Sequence, residues 1–405
     1  MDVNIDVVIV GHVDHGKSTL IGRLLYDSET LPEDKLDEIQ IILEEYRKQF
    51  QFAYFLDSFE EEFKEERTID TTRVMFKGRN YYTIIDVPGH TEFIKNMLTG
   101  ACHAQIASLV VSASDGIQEQ TGRHAFLIHM LGIKTVLVAI NKMDLVDYSQ
   151  AAFEKIKDET ANLLASLGFS VTVFVPISAI EGDNIYTPSE RMDWYHGPTL
   201  VQALDETEPE AASEKPLRFV VQDVYRLDAE KVTVGRIECG TMRKGEELVF
   251  QPSGVRGKVH KIIDFPEEVT DGKAGDSIGI VVGYETRRGD VGGHIETPPK
   301  SVDRFLGEVV LIEGTLKRGD VFSIKCGTNR GECLVEEIRE RINSETGEVI
   351  EENSTEVSKN EAATVVFKTP PMVVDNFSEI PQLGRFVLTR DGRNVALGIV
   401  LESMV

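Results

Sequence analysis

The sequence predicts an α/β domain, a mostly parallel sheet with helices on both faces, followed by two small antiparallel β-barrels. At 405 residues the chain is too long for one hydrophobic core. Up to about residue 205, apolar runs of strand length alternate with amphipathic helical patterns, the rhythm of a parallel sheet covered on both faces. Beyond that point the helical period is replaced by short strands and Gly-rich turns, the spacing of all-β barrels.

In chain order, Ile5–Val10, Tyr81–Ile85, Ile106–Ser112, Thr135–Ile140 and Val171–Ile177 read as buried strands. Ser18–Leu25, Gly122–Leu131 and Ala152–Leu167 read as the helices between them. Leu31–Lys64 is acidic, with Leu, Ile and Phe at core-like spacing, and reads as a solvated amphipathic insertion. The pattern stops at ETEPEAASEKP, a polar, proline-bounded linker over Glu206–Pro216. Turns at Gly240, Gly245, Gly254 and Gly275 then punctuate a first β domain, and the pair Pro298-Pro299 marks its end. A second run of strands follows, with Gly314, Gly319, Gly327 and Gly331 at turns. The expected domains are therefore 1–209, 214–299 and 301–405.

Composition narrows the function classes. Hydrophobic residues at 41% and charged residues at 27% describe an ordinary globular chain, and no apolar run is long enough to span a bilayer. The N-terminus has no basic stretch ahead of its first strand, so a cleaved secretory signal is not expected. Cys102, Cys239, Cys326 and Cys333 are scattered, which fits buried thiols in a reducing cytoplasm and neither a disulfide framework nor a zinc site. The net charge of −25 argues against a broad basic surface for nucleic acid. Most of it, −18, falls in residues 1–213, while 214–300 carry −1 and 301–405 carry −6, so a local basic groove stays compatible with the total.

Four loops carry chemistry. Gly11, His12, Val13, Asp14, His15, Gly16, Lys17, Ser18 and Thr19 follow a strand and open a helix in the pattern G-x-x-x-x-G-K-S/T. Backbone N–H groups of such a loop wrap phosphate at a helix N-terminus. Lys17 then reaches the β and γ phosphates and the Ser18 hydroxyl ligates Mg²⁺. Asp86, at the end of the strand Tyr81–Ile85, is placed to hold that ion through water, and Gly89 can turn its N–H to the γ-phosphate. Asn141, Lys142 and Asp144 follow the strand Thr135–Ile140. A carboxylate at Asp144 accepts from the N1–H and 2-amino group of guanine, which adenine cannot match. Ser178 and Ala179, after the next strand, supply a backbone N–H for the guanine oxygen. Together these loops predict a GTP site.

The four loops are those of the P-loop GTPases. The stretches GHVDHGKSTL, DVPGHTEFIKNMLTGA, INKMDLVDYS and SAIEGDNI resemble the translation-factor branch, which includes elongation factor Tu and elongation factor 1-alpha. Its two β-barrels after the GTPase domain match the architecture above over essentially the whole chain. Within that branch, LIGRLLYDSETLPEDKL, FAYFLDSFEEE, INKMDLVDYS, SERMDWYHGPTL and PLRFVVQDVYRLD resemble the GTPase subunit of sulfate adenylyltransferase and its fused adenylylsulfate-kinase relatives. PQLGRFVLTRDGRNVALGIV resembles elongation factor 1-alpha about equally well.

By resemblance, His90 orients the attacking water and Thr68 ligates Mg²⁺ only when the γ-phosphate is present. The stretch before Thr68 departs from the family's Gly-Ile-Thr-Ile-Asp: Glu66 stands where Gly is expected and Arg67 where Ile is expected. In the family that Ile makes an apolar gate with the loop Val, here Val13. Arg67 in its place either loosens the gate or brings a cation to the γ-phosphate. The resemblance implies a cytoplasmic GTPase that couples GTP hydrolysis to formation of adenylylsulfate and pyrophosphate by a separate small adenylyltransferase subunit. The alternative is a translation factor that binds aminoacyl-tRNA and the ribosome in its GTP state. A third reading is a nucleotide-switched scaffold whose altered Glu66-Arg67 stretch hydrolyses poorly. None of the three involves a membrane.

Overall fold

The computed structural model describes residues 4–28, 73–86, 104–169, 172–207, 214–227, 230–344 and 346–404. The insertion Leu31–Lys64, Glu66, Arg67, Thr68, Gly89, His90 and most of the linker lie outside the described residues. The chain divides into two compact units that part at Pro209.

The first unit is built on a six-stranded sheet. Its strands are β1 (Asn4–Gly11), β2 (Arg73–Lys77), β3 (Tyr81–Asp86), β4 (Ile106–Ser112), β5 (Thr135–Asn141) and β6 (Thr172–Pro176), in the order β2-β3-β1-β4-β5-β6. β3, β1, β4, β5 and β6 run parallel, and β2 closes one edge antiparallel to β3. The helices α1 (Lys17–Asp27), α2 (Glu119–Met130), α3 (Gln150–Ser166) and α4 (Leu200–Asp205) connect or follow these strands. Every residue of β4 is buried, as expected where both faces of a parallel strand are covered and no polar alternation is needed. β2 shows the opposite pattern, with Val74 and Phe76 buried and Met75 58% exposed, the alternation of an edge strand with one wet face. Phe76 stacks on the buried Tyr82 at 5.0 Å between ring centroids.

The helices are stopped and started by local chemistry. The Ser149 hydroxyl accepts from the Ala152 N–H at the start of α3. At α4, Thr199 Oγ1 accepts from Gln202 N–H and the Gln202 side chain returns the bond to Thr199 N–H, a reciprocal cap. Helix α2 begins three residues earlier than its apolar period suggests, because its first turn, Glu119–Gly122, belongs to the polar end of the helix.

The second unit carries two β domains. The first is a sheet of β7 (Arg218–Leu227), β8 (Glu230–Cys239), β10 (Glu247–Gln251), β11 (Arg256–Lys258), β12 (Lys261–Asp264), β13 (Glu267–Val269), β15 (Ser277–Val281) and β16 (Val291–His294), in the order β11-β10-β16-β7-β8-β15-β12-β13, with the short pair β9 (Thr241–Arg243) and β14 (Asp271–Lys273) beside it. It wraps around Phe219, Val221, Ile237, Leu248, Phe250, Ile262 and Ile280. In the second, β17 (Ser301–Leu311), β19 (Val321–Cys326), β20 (Asn329–Asn343), β23 (Glu361–Val373), β24 (Arg385–Arg390) and β25 (Arg393–Met404) pair in a ring closed by β19 against β20, a six-stranded barrel. Phe305, Phe367 and Phe386 fill it, with centroids 5.2 to 5.5 Å apart. The Phe386 ring needs Gly398 beside it, where a Cβ would come within 2.2 Å.

The two β domains share a buried ion pair. Arg218 of β7 donates from Nε to Asp375 Oδ2 at 2.9 Å, and both residues are 5% exposed. The same guanidinium donates from NH1 to the carbonyls of Leu217 and Thr297. Thr328 adds a hydroxyl bond to Val221 O at 2.8 Å. Val220, Cys239, Val291, Val373, Ile380 and Leu383 form the apolar cluster around this contact.

Candidate functional site

The C-terminal ends of β1, β4, β5 and β6 lie side by side in the sheet, so the loops that follow them converge. The sheet order turns at β1, with β3 on one side and β4 on the other, and open α/β sheets bind ligands at such a point.

The phosphate loop folds as its glycines require. Gly16 is left-handed at φ 87°, and Gly11 has φ 152°. A Cβ at Gly11 would lie 2.4 Å from Val110 O, and one at Gly16 would lie 2.4 Å from Asn141 Nδ2. Both positions therefore exclude a side chain by conformation and by space. Asp14 is also left-handed, at φ 69°. Lys17 donates from Nζ to Gly11 O at 2.8 Å and to His12 O at 2.9 Å, which draws the ammonium into the loop. Val13, Asp14 and Ser18 are exposed, His12 and Thr19 are half-buried, and helix α1 starts with Leu20 N–H on Gly16 O.

The loop rests on histidines held neutral. His15 is 1% exposed and its Nδ1 lies 3.2 Å from Val110 O, geometry that fits the Nδ1–H tautomer. Burial pushes its pKa down to about 4. His124, buried on α2, is pushed down to about 3, first by burial and then by the Lys17 charge. At neutral pH the positive charge of the loop is thus that of Lys17 and not of these imidazoles.

The structure brings Asn141, Lys142, Asp144, Ser178 and Ala179 to the same end of the sheet. Asn141 is 2% exposed and both ends of its amide are engaged: Nδ2 donates to His15 O and Oδ1 accepts from Ala179 N–H, each at 2.9 Å. One side chain thereby joins the phosphate loop, the β5 loop and the β6 loop. Asp144, in a 3-10 turn over Met143–Val146, accepts from Ser178 Oγ at 2.6 Å. Ser178 Oγ also accepts from Glu181 N–H, which tightens the β6 loop. Gly182, at φ 86°, leaves room for Arg23 of α1, whose NH1 donates to Ile180 O. The result is a carboxylate with a fixed rotamer, an arrangement that accepts from a flat heterocycle edge carrying two donors, while the Ala179 N–H expected for the guanine oxygen is donated to Asn141 Oδ1 in this structure.

Asp86 ends β3, in register with Ile9 of β1, which places its backbone at the same sheet end as the phosphate loop. Among the described residues no group of three or more His, Cys, Asp or Glu side chains is arranged to hold a metal. The exposed Ser18 hydroxyl at the first turn of α1 fits Mg²⁺, a hard cation usually held by few protein oxygens together with phosphate and water.

Sequence reasoning missed four contributors. Ser112 and Asp115 form a polar cluster after β4, and Arg23 and Arg191 support the β6 loop. The signal for the first pair was the polar run SASD directly after an apolar strand at the same sheet end as Asn141.

The sequence profile of the Elongation factor Tu GTP binding domain matches residues 3–210, and that of the GTP-eEF1A C-terminal domain-like family matches residues 304–401. The chain is 40% identical to the elongation factor 1-alpha of Methanosarcina acetivorans over 412 residues, covering 98% of each protein. It is 40% identical to that of Pyrococcus furiosus over 418 residues, covering 98% of this chain and 97% of the other. A crystal structure of Sup35 complexed with GDP aligns over 100% of this chain and 95% of that one, with a TM-score of 0.47 and 23% identity, too distant to carry an argument. These relatives overturn the expected sulfate-activation role and its small adenylyltransferase partner. The physical reason is that most stretches that suggested it belong to the nucleotide-handling unit, which constrains the nucleotide and not the cargo.

Proposed function

The chain belongs to the elongation factor Tu and elongation factor 1-alpha family of GTPases, and from that premise we propose that it is a translation factor that carries aminoacyl-tRNA in its GTP-bound form and hydrolyses GTP to release it. The observation that carries this reading is 40% identity running through 98% of both chains, barrels included, so the likeness is not confined to the nucleotide loops. A cytoplasmic place of action goes with that role.

In this reading Gly11 to Thr19 receive the β and γ phosphates, with Lys17 supplying the cation that two loop carbonyls already orient. Asp144 selects guanine, Ser178 fixes its rotamer, and the Ala179 N–H is held by Asn141 close to the base. Ser18, Thr68 and Asp86 are the residues that would hold Mg²⁺, which would supply positive charge against the negative charge developing during phosphoryl transfer. The roles of orienting the attacking water and of binding the γ-phosphate are assigned to His90 and Gly89 by the family resemblance alone, since both lie outside the described residues.

The test is protection of the aminoacyl ester. With GTP bound, the chain should slow spontaneous deacylation of aminoacyl-tRNA, and with GDP or ATP it should not. Equal deacylation in all three states would refute the role.

A further inference from the structure

Lys142 is held from two directions. Its backbone is left-handed, at φ 64° and ψ 35°, a conformation that is strained for a non-glycine residue and persists only where surrounding contacts impose it. Its ammonium lies 3.3 Å from Asp115 Oδ2. Asp115 is itself built into the end of β4. The Ser112 hydroxyl, on a residue with no exposed surface, donates to the same Oδ2 at 2.6 Å, and Asp115 N–H donates back to Ser112 Oγ at 3.2 Å. Ser112 stands in register with Asn141, and Ala113 N–H donates to Asn141 O at 2.7 Å. The Ser112 bond is also the main cause that holds the Asp115 carboxyl below its ordinary value, so the group is ionised at neutral pH.

We propose that Asp115 is a positioning residue for the purine base: it anchors the Lys142 ammonium between the β4 and β5 loops, so that the methylene stem forms an apolar wall of the slot whose edge is read by Asp144. This rests on the guanine reading above. The lysine stem is four methylenes long and apolar, and its charged head needs a partner if the stem is to stay in place beside a ring. Asp115 supplies that partner from a rigid strand end, while the β5 loop supplies the stem.

The test is a double-mutant cycle on the full chain, reading dissociation of N-methylanthraniloyl-GDP by fluorescence. Asp115→Asn keeps the shape and the Ser112 contact while removing the charge. It should release GDP about two- to fivefold faster, the range of a partly exposed ion pair. Lys142→Met keeps a comparable apolar stem without the ammonium, and in that background Asp115→Asn should change the rate no further. Equal acceleration in both backgrounds would show that Asp115 acts on the loop and not through Lys142, which overturns the inference; so would no acceleration at all in the native background. A native chain that binds ADP as tightly as GDP would overturn the guanine reading and this inference with it. Tight GDP binding with no coupling would leave the guanine reading standing alone.

Discussion

Asn141 offers the sharpest test of how the site is held together. Its amide is buried and bridges His15 O to Ala179 N–H through two bonds of 2.9 Å. Asn141→Ala leaves one carbonyl and one N–H without their partner, at about 1–3 kcal/mol for each buried group, so at least about 2 kcal/mol is lost from the arrangement that binds nucleotide. At 1.4 kcal/mol per tenfold, that is about 30-fold weaker GDP binding or more. Asn141→Asp is the informative companion. The isosteric carboxylate still accepts from Ala179 N–H, but it sets an oxygen against His15 O where a donor had been, and it buries a charge. It should therefore bind GDP no better than the alanine variant, although it differs from the native residue by a single group. Stopped-flow dissociation of labelled GDP, read beside nucleotide-free melting temperatures, separates loss of the site from loss of the fold. An aspartate variant that holds GDP as the native chain does would refute the bridging role.

Three further outcomes are expected. Asp375→Asn or Arg218→Met should cost the second unit about 3–5 kcal/mol in urea unfolding, because each leaves the other half of a buried pair exposed to no compensation, and the double variant should recover part of that loss. His15 and His124 have pKa values of about 4 and 3, below the unfolded 6.5, so the unfolded chain takes up protons first as pH falls. Stability is then full above pH 6.5 and declines below it, by up to about 1.4 kcal/mol per pH unit for each histidine, and His124→Gln should flatten that slope between pH 6.5 and 4.5. We expect Arg67→Ile to change the intrinsic GTP hydrolysis rate measured by single-turnover phosphate release, and an unchanged rate would remove the significance of the Glu66-Arg67 departure.

Legibility in the sequence followed the strength of the local physical signal. The strands at Ile106–Ser112 and Thr135–Ile140 were readable because strands covered on both faces have no polar alternation, and the structure has them at Ile106–Ser112 and Thr135–Asn141. The edge strand Arg73–Lys77 was not read, since five residues of alternation compete poorly with the surrounding polar sequence. The phosphate loop was legible because its glycines answer a backbone requirement that leaves little choice, as the 2.4 Å approaches at Gly11 and Gly16 show. The cargo was misjudged. Residues that recognise a macromolecule obey no period and no spacing rule, so the likeness of loops that read the nucleotide was extended to a subgroup that the relatives do not support.

What the sequence by itself determined was the class of every layer and the chemical identity of the loops: hydrophobic period and turn residues are local properties, and so is the demand that a phosphate loop places on Gly16 and Lys17. Only the tertiary structure decided how those residues are employed. Asn141 turned out to spend both ends of its amide on the protein, Asp115 met Lys142 across two strand ends, and Arg218 found Asp375 after 157 residues of intervening chain. Each of these depends on a distance across strands, set by the order β3-β1-β4-β5-β6 or by the joining of two barrels, and no separation along the chain encodes it.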